Sequence, residues 1–383
     1  MQGISVVIPC LNEARTIGTC IQKAQQAISR SGLAGEVLVA DNGSTDGSAT
    51  IAHSLHARVV PVPEKGYGAA LHTGISQARY DWVLFADADE SYDFTELERF
   101  IPPLQAGAQL VVGNRFAGGI APGAMPWLHR YLGTPVISFI GRRSFGVTLT
   151  DFNCGMRALH KPSYLQLSIQ SPGMEYASEM IAKAALHKWT IAEVPVSLHK
   201  DNRGRKPHLK TWSDGWKHLR LILLLSPKWL LLIPALIFLT LGLGLGTLLV
   251  FSYIKVFNLI LSIHTLYYAS VFVIIALQLL QFYVIARLYG HSIGLYPARR
   301  FASMVKHWLS FEKGLLLGGF LLLTGLALSF KAISTWQAAG WGPLDPVEIF
   351  RIIIPAGFFV TVGMQAIVFG FLLYTLQQWR RPV

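Results

Sequence analysis

Cysteine is scarce in this chain: Cys10, Cys20 and Cys154 are the only three in 383 residues. An odd number without metal-ligand spacing excludes a disulfide framework and fits reduced thiols in a cytosolic domain. Charge is scarce too. Asp, Glu, Lys and Arg make up 14% of the residues, and the balance is 33 basic to 21 acidic, a formal net charge of +12. That sign points to anionic partners: nucleic acid, phosphorylated substrates or an anionic membrane leaflet. Nucleic acid is set aside, because the basic residues crowd beside hydrophobic runs. No basic n-region or long apolar h-region precedes the strand-like residues from Ile4, so no signal peptide is expected. The Gly66-x-Gly68 turn lacks a third glycine and follows a third strand, which excludes a dinucleotide fingerprint. An obvious histidine dyad is also missing; His53, His56 and His72 fall in helical stretches as surface or packing residues.

What is abundant is apolar surface, 52% of residues with a mean hydropathy of +0.42, too much for an ordinary soluble protein. It is unevenly spread. Up to about Leu209 the pattern is that of a soluble α/β domain. Residues 4–8, 36–40, 58–62, 82–86 and 110–115 read as strands alternating with helical stretches, which predicts a mostly parallel sheet with helices on both faces. Polar clusters follow successive strands: Asn12 and Glu13, Asp41, Lys65 and Gly66, Asp87 and Asp89, then Arg115. In a parallel sheet these share the carboxyl edge, where open α/β sheets bind ligands. Any one such loop is ordinarily polar, and Asp-x-Asp alone is a weak signal because Asp favours turns. Their recurrence along one edge favours a site. Two carboxylates one residue apart can hold a divalent cation, with substrate phosphate oxygens filling its other positions.

Six motifs occur in order: Pro9-x-x-Asn12-Glu13, Asp41-Asn42-Gly43-Ser44-Thr45-Asp46, Lys65-Gly66-Tyr67-Gly68, Asp87-Ala88-Asp89, Gly113-Asn114-Arg115 and Asp151-Phe152-Asn153-Cys154-Gly155-Met156-Arg157. In this the chain resembles the family 2 glycosyltransferases, and among them the polyprenyl-phosphate (dolichol-phosphate-type) mannosyl and glucosyl synthases, over roughly residues 4–210. The resemblance implies a Rossmann-like GT-A fold and a role at matching positions. Pro9, Asn12, Glu13, Asp41, Lys65, Gly66, Asp87, Ala88 and Asp89 would meet the nucleotide sugar, with Asp41 near the base. Asp87 and Asp89 would hold Mg²⁺ or Mn²⁺; Asp89, Arg115, Arg157 and Glu175 would serve catalysis; Arg115, Arg203, Arg205 and Lys206 would meet the lipid phosphate. Relatives often carry Gln two residues after the second Asp; here Ser91 stands there, which leaves a third protein ligand open.

The Gly/Pro-rich stretch after Phe116 predicts a flexible loop closing over the donor. Residues 127–145 follow as a helix, either with a solvated basic face (Arg130, Arg142, Arg143) or turned toward the acceptor. Eight Lys and Arg between 200 and 228, with Trp212 and Trp216, predict an interfacial amphipathic helix. Four apolar spans follow at about 229–251, 266–286, 314–330 and 352–376, each near the ~20 residues that cross a bilayer. Arg287, Arg299, Arg300, Lys306 and Lys313 in the loop after the second span place that loop and both termini in the cytoplasm. The expected domains are a cytoplasmic catalytic domain over 1–209, an amphipathic helix over 210–227 and a membrane domain over 228–383.

The implied reaction is inverting, metal-dependent transfer of one hexose from a UDP- or GDP-linked sugar to a polyprenyl phosphate at an anionic leaflet. Rival readings are another lipid or glycan acceptor, a non-catalytic nucleotide-sugar-binding module, and a lipid-sugar flippase. A processive polysaccharide synthase should show Gln-x-x-Arg-Trp, which Gln377-Gln378-Trp379-Arg380 does not match. Nothing ionisable lies centrally in the spans, which disfavours transport. A homo-oligomer stays open.

Overall fold

The β-branched run after residue 3 builds the central strand, β1 (Gly3–Cys10), buried along its whole length. A parallel strand covered on both faces shows such a continuous apolar run, not alternation. From it the chain passes through α1 (Ile17–Ser31), β2 (Ala34–Asp41), α2 (Ser48–Ser54), β3 (Arg58–Pro61) and α3 (Tyr67–Gln77) to β4 (Trp82–Phe85). β1 pairs in parallel with β2 and β4, and β2 with β3. A 3-10 turn (Phe94–Phe100) and α4 (Ile101–Gln105) lead to β5 (Leu110–Asn114) and α5 (Arg115–Gly118). Then come α6 (Thr134–Phe145), β6 (Arg157–His160), α7 (Lys161–Leu165), α8 (Tyr176–Leu186), β7 (Ile191–Pro195) and α9 (Thr211–Leu225). The computed structural model describes residues 3–202, 204, 211–292 and 299–378, and falls into two compact units, Met1–Leu225 and Ser226–Val383.

The sheet of the first unit runs β3-β2-β1-β4-β6-β5-β7. It is mostly parallel, with one reversed strand: β6 is antiparallel to both β4 and β5, while β5 and β7 are parallel. β6 thus joins two parallel blocks. Neither β6 nor β7 carries a strand signal in sequence: β6 has four residues opening on a buried arginine, and β7 has Glu193 at its centre. The arrangement places the ends of β1, β2, β4 and β5 on one edge, with Arg157 at the start of β6 paired to Phe85 and Val112 there.

The Gly/Pro-rich stretch is anchored at one point. The Ala121 amide donates to the Leu198 carbonyl at 2.9 Å, and Ile120 bridges to Leu198. Helix follows from residue 127, through a π-turn at His129–Gly133, into α6. Its outer face is apolar more than basic: Trp127, Tyr131 and Phe139 are 71%, 60% and 59% exposed. α9 is held against α8. Ile222 and Leu225 are buried, and the His218 ring nitrogen lies 2.8 Å from the Ser178 hydroxyl of α8.

The second unit opens with a π-turn (Lys228–Leu232) and α10 (Ile233–Leu249), followed by the hairpin β8 (Ile254–Val256) and β9 (Leu259–Leu261). α11 (Ile263–Ser292), α12 (Arg299–Trp308), α13 (Phe311–Ala338) and α14 (Pro346–Gln378) complete it. Among the described residues, four helices are long and apolar enough to cross a membrane: Lys228–Leu249, Ile263–Ser292, Phe311–Ala338 and Pro346–Leu376. Most outrun the apolar windows because capping, not hydropathy, ends a helix. In α13 the Ser310 hydroxyl accepts the Lys313 amide at 3.3 Å, and Gly340 at φ 64 follows the last turn. α13 and α14 meet through small residues, Gly318 lying against Gly363 and Ile367 and Gly325 against Val360 and Ala356. Such residues let membrane helices approach closely.

Candidate active site

The site is built from loops at the carboxyl edge, and short side chains sew them together. After β1, Asn12 takes a left-handed conformation at φ 58, which turns its side chain onto the neighbouring loop after β2. Its Oδ1 accepts the Thr45 amide at 2.8 Å, and its own amide donates to Ser44 Oγ at 2.9 Å. Ser48 Oγ accepts the Glu13 amide and Asp46 Oδ2 accepts the Ala14 amide, both at 2.9 Å. Asp41 closes β2 and accepts the Ser44 amide. Next door, Asn42 accepts the Gly66 amide at 2.9 Å, and the Lys65 ammonium donates to the Asn42 carbonyl at 2.7 Å. Three of the expected nucleotide-facing loops therefore form one continuous floor, with Pro9 and Glu13 buried in it. Cys10 lies there too, and burial pushes its thiol up to about 11, so it is inert as a nucleophile.

Asp87 and Asp89 follow β4, Asp87 half-buried and Asp89 5% exposed, with Ala88 buried between them. Asp89 Oδ1 accepts from the Ser91 amide at 3.0 Å and from its hydroxyl at 2.5 Å. Ser91 therefore braces the second aspartate. Among the described residues no third His, Cys, Asp or Glu joins these two in a metal-holding group. Two carboxylates are nonetheless the donor set that Mg²⁺ or Mn²⁺ accepts when phosphate oxygens and water complete its shell. Two further oxygens, Asn153 Oδ1 and Glu175 Oε2, are buried without a hydrogen-bond partner.

The arginines lie elsewhere than their charge alone predicts. Arg115 is 9% exposed and makes a bidentate pair with Asp151, both contacts 2.7 Å. Arg157, at 1% exposure, donates to the carbonyls of Cys154, Phe152 and Ala177 at 2.9, 2.9 and 2.6 Å. Both guanidinium groups are committed to protein acceptors and hold the 151–157 loop in shape. Arg203, Arg205 and Lys206 lie outside the described residues. The chain leading to them is placed, however: the Asn202 amide donates to the Asp89 carbonyl at 3.1 Å, and its side chain to Glu90 at 2.6 Å.

Glu175 caps α8, over a loop held by its neighbours. The Glu179 carboxylate accepts the Ser171 amide at 2.8 Å and the Lys183 ammonium at 2.7 Å. Burial alone would raise Glu179, but these partners outweigh it and hold the carboxyl below its usual range. The Pro172 carbonyl of this loop accepts the Gly68 amide at 2.8 Å, joining it to the Lys65–Gly68 turn. Asn42, Ser91, Asp151 and Asn202 thus hold these loops in place and carry no signal beyond their place in, or after, a motif.

Comparison with known proteins fits this geometry. Residues 5–167 match the model for glycosyl transferase family 2, and 284–377 that for the glycosyltransferase family 2 C-terminal transmembrane region. The low-salt glycan biosynthesis hexosyltransferase Agl6 of Haloferax volcanii is 32% identical over 378 residues, 97% of this chain and 89% of that protein. A dolichyl-phosphate hexose transferase of the same organism is 29% identical over 196 residues, 50% of this chain and 81% of that one. Among solved structures, glucosyl-3-phosphoglycerate synthase from Mycobacterium tuberculosis, in complex with Mn²⁺, UDP and glucosyl-3-phosphoglycerate, is 24% identical. That match covers 58% of this chain and 79% of the other, with a TM-score of 0.48. Similarity that runs through both the sheet unit and the membrane helices, at this identity, leaves one conclusion: the chain belongs to glycosyltransferase family 2.

Proposed function

We propose that this membrane glycosyltransferase moves a single hexose from a UDP- or GDP-linked sugar to a polyprenyl phosphate, on the cytoplasmic side and with inversion. One observation carries the reading: Asn202 is bonded to the backbone of Asp89 and the side chain of Glu90. In sequence, the basic run from Arg203 to Lys210 directly follows Asn202 and directly precedes α9. A phosphate carried on a membrane-embedded chain would meet Arg203, Arg205 and Lys206. Forked guanidinium donors suit such a group. The same run would face the anionic leaflet. The dolichyl-phosphate hexose transferase among the relatives supports this acceptor class by its name.

Asp87 and Asp89 would hold Mg²⁺ or Mn²⁺, and bound there the ion supplies Lewis-acid stabilisation of the departing diphosphate. Pro9, Asn12, Glu13 and Asp41 would wall the nucleoside, and Lys65 and Gly66 the phosphates. Glu175, with an unpartnered oxygen, would accept from a sugar hydroxyl. Arg115 and Arg157 would act as fixed positive charge in the frame, offsetting the crowding of anions without leaving their protein partners. The acceptor phosphate needs no strong base, because a phosphate monoester with a second pKa of about 6 is largely ionised near neutrality.

The test is a radiolabel transfer assay: purified protein, Mg²⁺ or Mn²⁺, undecaprenyl or dolichyl phosphate, and a panel of UDP- and GDP-sugars. One acid-labile labelled lipid, lost with EDTA, is expected. Silence across the panel, from protein that binds nucleotide, overturns the acceptor assignment.

A further inference from the structure

The helical segment from Trp127 through α6 is built inside out. Its inner face is small and polar: Thr134, Ser138 and Gly141 are the buried residues of α6. Ser138 Oγ accepts the Phe152 amide at 3.1 Å, and Gly141 abuts the Phe152 ring, where an added Cβ would stand 2.5 Å away. These contacts fix which way the helix is turned. The bulk lies on the other side: Trp127, Tyr131, Pro135, Phe139 and Arg143 recur at every fourth position, and all five are exposed. On a regular α-helix that spacing drifts about 40° per step. The extra residue of the π-turn at His129–Gly133 takes back about 100° of the drift. The rings of Trp127 and Tyr131, 5.8 Å apart, thus continue into the stripe that carries Phe139. Small polar residues inward and aromatics outward reverse the pattern that seats a helix on a soluble core.

An exposed apolar face of this kind marks an interaction surface, and its charge says with what. Residues 127–145 contain Arg130, Arg142 and Arg143 and no Asp or Glu. The Arg130 guanidinium stands 5.5 Å from the centre of the Tyr131 ring, so the long cation lies along the apolar face while its head can stay in water. Trp, Tyr and Arg on one helix face are the composition of a helix lying in a membrane interface, where the cations meet anionic headgroups. A second copy of the chain fits less well, because it would present the same arginines and bring no acid to meet them. α6 also packs against α9, which turns Trp216 and Leu224 outward and ends at Leu225, just before the membrane helix that opens at Lys228. The inverted helix therefore lies beside the segment that carries the chain into the bilayer.

We propose that the face formed by Trp127, Tyr131 and Phe139 is a membrane-docking surface, seated in the headgroup region of the bilayer and holding the catalytic unit to lipid in addition to the four spans. Full-length protein carrying Phe139→Cys is labelled with a nitroxide, the three native cysteines being buried, and reconstituted in nanodiscs of phosphatidylcholine and phosphatidylglycerol. Power saturation in electron paramagnetic resonance compares relaxation by oxygen, which concentrates in lipid, with relaxation by an aqueous nickel chelate. Ser54→Cys, exposed at the end of α2, is the solvent reference. The ratio of oxygen to nickel contact at position 139 is expected to exceed that at position 54 several-fold. An equal ratio shows a solvated face and overturns the proposal. So does shielding from both reagents, because protein, whether a second copy or another segment of this chain, would then cover the face. Should the Phe139→Cys variant fail to fold, Tyr131→Cys on the preceding turn carries the test with the same outcomes.

Discussion

Asp151 lies wholly buried against Arg115, each of its carboxylate oxygens 2.7 Å from the guanidinium. Removing one partner of such a pair leaves an uncompensated buried charge, a loss of about 3–5 kcal/mol. Asp151→Asn is expected to lower the melting temperature by about 10 °C. The double variant Arg115→Met with Asp151→Leu should recover most of it, since no buried charge is left. A melt that does not move would show that the pair is hydrated and weak. The same pair marks where residue-level reading of the sequence stops. Asn12, Asp41, Asp87 and Asp89 could be placed because each ends a strand, and strand order alone gathers them on one edge. Arg115 also ends a strand, but its partner is 36 positions away, and sequence shows a charge without showing what neutralises it.

Helices and strands differ in how much of them the sequence shows. The four long helices were legible from hydropathy, and β1 to β5 from apolar runs ended by polar loops. β6 was not, because a four-residue strand buried between two neighbours, with arginine as its first residue, has neither alternation nor an apolar run. Helix pairing was equally hidden, since it depends on which glycines face each other. On α13, a Cβ at Gly318 would lie 2.6 Å from the Gly363 carbonyl, whereas one at Gly319 meets nothing within 4 Å. Gly318→Leu is expected to force α13 and α14 apart at a cost of about 1–3 kcal/mol. Gly319→Leu should be neutral. Melting curves of the two variants in detergent check this; equal stability would mean that the helices slide to accommodate the side chain.

At the scale of the whole chain, the balance of basic residues between loops predicts the catalytic unit and both termini on the cytoplasmic side. The native cysteines give a clean background for testing this. All three are buried, with burial pushing Cys10 up to about 11 and Cys20 and Cys154 to about 12. An impermeant maleimide should label Asn258→Cys, in the turn between β8 and β9, on intact cells. Ser54→Cys, exposed at the end of α2, should react only after lysis. The reverse pattern would invert the assigned topology and remove the donor from its cytosolic supply.

The reversed strand β6 has a consequence for biosynthesis. Until it exists, the block β3-β2-β1-β4 ends in β4 as an open edge, and β5 has neither of its neighbours, β6 and β7. β6 emerges on the order of 70 residues after β4, so at ~5–20 residues per second the nascent chain spends roughly 4–14 s with that edge unpaired. An uncovered, apolar edge strand is an invitation to pair with another chain. The carboxylates at its tip are therefore assembled late, after a window in which the ribosome or a chaperone must shield the strand that carries them.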